Sequence, residues 1–285
     1  MNLIEWIRVI FLGLIEGITE WLPVSSTGHL ILVEAFWQPG AKAAETVFTS
    51  EFKNMFDVVI QLGAILAVVT YYFNKLNPFS PRKDKRQKRH TIELWKKVII
   101  GCIPAGVIGV LFNDIIEEYL LKWYVVAAML ILVGIVFILV ESGNRGKNYT
   151  IVKFSQMSYK TAFLIGVFQV LSLIPGTSRS GITIIGGLLL GCSRFIAAEY
   201  TFYLAIPVMF GASALKIVKF IAHAETVSAE QFFVLLVASV VAYVVSLFVI
   251  RFLMQYIKRH NFNAFALYRI ALGIVVIIAG LAFHL

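Results

Sequence analysis

Six apolar segments of roughly membrane-spanning length recur along the chain: Met55–Phe73, Trp95–Phe112, Trp123–Val140, Phe195–Val218, Phe232–Ile250 and Phe265–Phe283. About 20 apolar residues in a helix cross the hydrocarbon layer. Lipid offers no partners for free backbone groups, so each segment must satisfy its own. The fold class expected is therefore an all-α integral membrane protein, a single polytopic domain over residues 1–285. A composition of 59% hydrophobic and 14% charged residues agrees. Residues 75–97 hold nine Lys/Arg against Asp84 and Glu93, so most of the net charge of +9 lies in one loop. That is a cytoplasmic topology signal rather than a nucleic-acid footprint. Cys102 and Cys192 stand alone in apolar sequence and read as small buried hydrophobes. Residues 1–37 lack a basic leader and a small-residue cleavage site, so no removable signal peptide is expected.

Two places depart from this pattern. Residues 3–22 run into Pro23, and the apolar run that follows, Leu30–Trp37, is too short to cross. Thr161–Leu173 runs into Pro175, and Ile182–Leu190 is again too short. Each is read as a re-entrant helix-loop-helix hairpin, with irregular backbone at membrane depth lining a cavity. The connection 38–54, with Lys42, Glu45, Glu51 and Lys53, is neutral. Asn113–Lys122 and the loop with Glu225 and Glu230 are poor in positive charge, whereas 141–160 and the loop with Lys258, Arg259 and His260 are basic. One hairpin and three transmembrane helices per half, about 1–145 and 155–285, make the second half an inverted-topology repeat of the first. Aligning Pro23 with Pro175 sets Gly13 near Gly166 and Ser25–Ser26 near Thr177–Ser178, and Gly134 aligns with Gly273. With 75–97 inside and both termini outside, the two hairpin tips approach near the midplane. Their helix N-termini then face a common space suited to an anion.

Both tips carry reactive side chains. Glu16 and Glu20 are four apart and share a helical face. Two carboxylates that close conflict unless one is protonated or a cation joins them, and Mg²⁺ or Ca²⁺ bound together with substrate phosphate resolves the conflict. An ordinary helix end exposed to water is the plainer alternative. Ser25, Ser26 and Thr27 open the next half-helix, where one hydroxyl serves as a cap and three are more than capping needs. His29 shares a face with Ser26 and is a candidate base. Arg179, at the second tip, offers a donor fork for phosphate, or an ion pair to Glu16 or Glu20 when no anion is bound. Ser178, Ser180 and Thr183 add hydroxyls that either donate to phosphate or cap and back-bond. Arg194, Lys216, Lys219, Arg251 and Arg269 lie near expected helix ends and read as interfacial anchors. Asp57, Gln61 and Glu199 are candidates for supporting the site.

The stretches Glu16-Gly-Ile-Thr-Glu20-Trp-Leu-Pro-Val-Ser-Ser-Thr-Gly-His29 and Pro175-Gly-Thr-Ser178-Arg179-Ser180-Gly-Ile-Thr183, with Phe56-Asp-Val-Val-Ile-Gln61-Leu-Gly, resemble the undecaprenyl-pyrophosphate phosphatase family associated with bacitracin resistance. The resemblance implies metal-dependent hydrolysis of the terminal phosphate of undecaprenyl pyrophosphate. The product is the monophosphate carrier used in bacterial envelope synthesis. It also implies a plasma-membrane protein with an active site reached from the outer face. Carried over by position, Glu16 and Glu20 become acid/base or metal-binding groups, Ser26 the candidate nucleophile, His29 a catalytic partner and Arg179 the phosphate clamp. Attack by Ser26 and attack by water activated at Glu16 or His29 both remain open. The partners expected are a prenyl pyrophosphate and membrane lipid, without nucleic acid, and with a homodimer left open. A carrier or flippase for an anionic lipid or small anion is the alternative from another class.

Overall fold

The computed structural model describes residues 3–36, 48–222 and 227–283. Trp37, residues 38–47 of the first connection and Glu225 lie outside them. Among the described residues the chain is helical: α1 (Leu3–Thr19), α2 (Ser26–Phe36), α3 (Ser50–Val59), α4 (Gln61–Tyr71), α5 (Phe73–Leu76), α6 (Lys85–Leu120), α7 (Trp123–Gly143), α8 (Tyr159–Val170), α9 (Arg179–Leu189), α10 (Arg194–Ala222), α11 (Ala229–Tyr256) and α12 (Asn263–Phe283). Among the described residues, six stretches are long and apolar enough to cross a membrane: Phe52–Tyr71, Lys85–Phe112, Trp123–Gly143, Arg194–Ala222, Ala229–Tyr256 and Asn263–Phe283. They are the six that the hydropathy pattern marks out. Their outward faces stay apolar, with Val110 and Phe248 more than 70% exposed. Such surface is tolerable only against lipid.

Several boundaries differ from the sequence reading, each for a local reason. The basic loop is shorter than 75–97, because residues from Lys85 onward are already helical. Asp84 and Gln87 cap this start reciprocally: Gln87 N donates to Asp84 Oδ1 at 2.7 Å and Asp84 N to Gln87 Oε1 at 3.1 Å. The same helix continues through the expected outer connection to Leu120, carrying Pro104 inside it. Met55–Phe73 is two helices, α3 and α4, joined at Ile60.

Two breaks position the site. The first helix ends at Thr19 and the chain re-enters helix at Ser26; α8 ends at Val170, passes through a 3₁₀ turn at Leu171–Leu173, and α9 begins at Arg179. α1 packs on α11, α8 on α6, and α7 on α12. Trp21, fully buried, is wedged between the first break and α10, edge-on to Phe202 at 5.2 Å.

Candidate active site

Each break contains a proline and ends in a serine. Ser25 and Ser178, each the residue before a helix start, have φ of 75° and 66° and are the positive-φ non-glycine residues among those described. That conformation costs a residue with a Cβ about 1–2 kcal/mol. At Ser178 the side chain offsets part of the cost by accepting from Gly181 N at 3.2 Å, an N-cap bond. The equivalence of the two breaks is therefore one position off the proline alignment, because one residue more separates Pro175 from Ser178 than Pro23 from Ser25. By φ and helix start, Ser25 corresponds to Ser178 and Ser26 to Arg179. The additional residue, Gly176, has φ 89° and presses on α7, where a Cβ would meet Val126 O at 2.6 Å.

The two breaks touch. Ser180 Oγ donates to Leu22 O at 3.2 Å. Arg269, on α12 and fully buried, donates from Nη1 to Pro23 O at 3.3 Å and from Nη2 to Gly176 O and Thr177 O, both at 2.9 Å. One guanidinium thus binds carbonyls of both loops. This corrects the reading of Arg269 as an interfacial anchor: its position near a helix end in sequence is deep inside the assembled bundle. Arg194 is likewise held, bonding Glu141 through Nε at 2.9 Å. Glu199 does not support the site through these loops. It pairs with Lys75 at 2.7 Å and accepts from the Tyr203 hydroxyl at 2.7 Å.

The reactive residues converge on Glu20. Arg179 Nη2 meets Glu20 Oε1 at 2.8 Å, and Ser26 Oγ donates to Glu20 Oε2 at 3.3 Å. The Arg179 guanidinium also lies over the Trp21 ring, 5.8 Å from its centroid, and donates from Nη1 to Thr201 O at 3.3 Å. Glu16 is fully buried, and neither of its carboxylate oxygens has a hydrogen-bond partner. Glu20 and Asp57 add negative potential at Glu16, and Arg179 adds positive. His29 contacts the Ser25 carbonyl and the Tyr268 hydroxyl. Ser178 caps α9, and Thr183 Oγ1 back-bonds to Arg179 O at 2.8 Å while meeting Thr201 Oγ1 at 2.8 Å. Both hydroxyls thus have protein partners. Thr27 is half-buried in the first turn of α2. Sequence reasoning missed Tyr268 and Arg269. Their signal was an arginine inside the apolar run Phe265–Phe283, at a depth where an ionisable group needs a partner.

Among the described residues no group of three or more His, Cys, Asp or Glu is arranged to hold a metal ion. The described residues therefore build no closed protein cage. The orphaned, buried oxygens of Glu16 beside Glu20 do fit a hard divalent cation whose remaining ligands come from phosphate and water.

The family model described as "Bacitracin resistance protein BacA" matches residues 9–275. The chain belongs to this family. Relatives similar over nearly their whole length include proteins named undecaprenyl-diphosphatase. One from Streptococcus mutans is 54% identical, covering 99% of this chain and 98% of its own. Another from Streptococcus thermophilus is 53% identical, covering 98% and 94%. A third, from Enterococcus faecalis, is 50% identical over 95% of each chain. In this BacA family member the two motif stretches, far apart in sequence, form one constellation around Glu20.

Proposed function

We propose that the protein is an undecaprenyl-diphosphatase, a hydrolase that removes the terminal phosphate of undecaprenyl pyrophosphate to give undecaprenyl phosphate and inorganic phosphate. The reaction recycles the lipid carrier for bacterial cell-wall synthesis and confers bacitracin resistance. The observation that carries the proposal is the sharing of Glu20 between Arg179 of one break and Ser26 of the other. It unites an anion clamp, a carboxylate and a hydroxyl at apolar depth. The names of the half-identical relatives point the same way.

The arrangement suggests a sequence of events. A pyrophosphate entering the site competes with Glu20 for the Arg179 fork, whose donors match phosphate oxygens. Glu20, released, is then the nearest acceptor for the Ser26 proton. Ser26 Oγ attacks the terminal phosphorus, undecaprenyl phosphate leaves, and water cleaves the phosphoserine to inorganic phosphate and free serine. The contact of Ser26 with Glu20 supports this route, and since neither ring nitrogen of His29 is bonded to Ser26, Glu20 rather than His29 is the base that reaches the serine. Arg179 and the N–H groups opening α2 and α9 stabilise charge on the phosphate oxygens. Glu16 and Glu20 are the residues that would hold Mg²⁺ or Ca²⁺, which would supply further neutralisation of that charge. Ser25, Thr27, Ser178, Ser180 and Thr183 surround the phosphate as hydroxyl donors or as props for the loops.

The same reading includes an inverted repeat in a bacterial plasma membrane, with the site open to the outer side and both termini outside. Reciprocal packing supports the repeat. A Cβ on Gly134 would meet Ala266 O and Ile270, whereas one on Gly273 would meet Ala127 O and Ile131. Exchanging the halves maps one contact set onto the other. The pairing of α1 with α11 and of α8 with α6 follows the same exchange.

The test is phosphate release from undecaprenyl pyrophosphate by detergent-purified protein, with and without Mg²⁺ or Ca²⁺. Wild type is compared with Glu20→Ala and Arg179→Ala. Metal-dependent release that both folded variants lose supports the phosphatase. No release by folded wild type under any metal condition turns the reading to a carrier of anionic lipid.

A further inference from the structure

Both ring nitrogens of His29 are engaged, and the chemistry of the partners fixes which one is basic. Nδ1 lies 2.7 Å from the Ser25 carbonyl oxygen, which can only accept, so Nδ1 carries a proton. In the neutral ring the lone pair is then on Nε2. Nε2 lies 2.7 Å from the hydroxyl of Tyr268, on α12, so the phenol donates to it. The two rings are nearly parallel, with centroids 5.6 Å apart and planes at 12°. The basic nitrogen of His29 thus faces α12, away from the hydroxyl of Ser26, which is spent on Glu20. Tyr268 is half-exposed, whereas its neighbour Arg269 is fully buried among the loop carbonyls. Two consecutive residues of one helix therefore hold the floor of the site and the imidazole at its rim.

We infer that Tyr268 is a positioning residue of this site: its hydroxyl donates to Nε2 of His29, orients the imidazole and controls when its basic nitrogen is available. Ser25 selects the tautomer, and Tyr268 occupies the nitrogen that this tautomer leaves basic. For His29 to take up a proton, the Tyr268 hydroxyl must turn from donor to acceptor, or give way to a substrate oxygen. The inference rests on the phosphatase reading for its functional consequence, though not for the bond itself.

Tyr268→Phe keeps a stackable ring and removes only the hydroxyl. In full-length, detergent-purified protein carrying ¹⁵N-histidine, the His29 signals are assigned by their loss in His29→Gln. The Nε2 resonance is expected to move in Tyr268→Phe while Nδ1 remains the protonated nitrogen. An unmoved Nε2 resonance overturns the inference whatever the activity. In phosphate release, the loss of one hydrogen bond predicts kcat about tenfold lower with KM within about twofold. Adding Tyr268→Phe to His29→Gln is expected to change nothing further, because the hydroxyl acts through the imidazole. Full activity in Tyr268→Phe, or an undiminished additional loss in the double variant, overturns the positioning role. If wild type itself releases no phosphate, the phosphatase reading fails, and the resonance still decides whether Tyr268 holds His29.

Discussion

Arg179 and Glu20 come from opposite breaks of the chain, 159 positions apart, and meet at 2.8 Å with each side chain only about a tenth exposed. A pair so enclosed cannot be read as surface decoration: removing either partner leaves the other charge uncompensated in low dielectric. In substrate's absence each keeps the other in place. On the proposed reading the pair is also a latch that a substrate phosphate opens.

That latch separates charge from shape. Glu20→Gln keeps the size of the side chain and loses the charge that holds Arg179 and accepts from Ser26. We expect phosphate release to fall about 10²–10³-fold, the scale seen when a preorganised electrostatic partner is removed. Arg179→Lys keeps the charge and loses the fork, and is expected to raise KM as well as lower kcat. Steady-state kinetics on purified variants checks both.

Glu16 is where the proposed divalent cation would be held. Chelation is expected to abolish release, and added Mg²⁺ or Ca²⁺ to restore it in wild type. Glu16→Gln removes the carboxylate whose two oxygens lack partners, so the cation concentration for half-maximal activity should rise at least about tenfold. Calorimetric titration of the metal into substrate-free protein gives the same comparison without turnover.

Arg269 should matter to the fold before it matters to chemistry. Arg269→Leu leaves the carbonyls of Pro23, Gly176 and Thr177 without their donor. Each buried, unsatisfied carbonyl costs about 1–3 kcal/mol. A clear drop in the midpoint of thermal unfolding in detergent is expected, with a smaller drop for Arg269→Lys.

Close helix packing gives a matched pair of alanine substitutions. A Cβ on Gly166 would lie 2.1 Å from Gly101 O, whereas one on Gly106 meets nothing within 4 Å. Gly166→Ala is expected to destabilise by about 1–3 kcal/mol or more through overpacking. Gly106→Ala, on an exposed face of α6, should be neutral or stabilising by up to about 1 kcal/mol. Paired thermal unfolding curves check the contrast.

Orientation is testable at the basic end of α6. In Arg86→Cys, where the side chain is exposed, an impermeant thiol reagent should leave the new cysteine unlabelled in intact cells and label it after permeabilisation. Labelling in intact cells overturns the inside assignment of this end.

Much of this arrangement was legible in the residues. Pro23 and Pro175 marked the breaks because proline removes a donor where each apolar run ends, and the hydroxyl-rich segments that follow announce helix starts. The ion pair of Arg179 with a glutamate of the first break was also among the readings the residues allowed. What escaped has a common cause: contacts made across the bundle leave little trace along the chain. Lys85–Lys97 looked like a loop because charge obscured a strongly helical composition capped by Asp84. Arg269 looked like an anchor because position near a helix end says nothing about depth after assembly. Tyr268 carried no signal at all beyond its adjacency to Arg269, since a tyrosine in an apolar helix usually marks a membrane interface.

The guanidinium of Arg269 also sets an order of events in biosynthesis. Both breaks leave the ribosome long before α12, and their facing carbonyls must wait for a donor that arrives only with it. A nascent chain that has inserted every motif residue still lacks the guanidinium that binds carbonyls of both loops. Completion of the last crossing described here is thus a quality checkpoint, and a chain stalled before residue 269 is expected to be inert and open to membrane proteases rather than partly active.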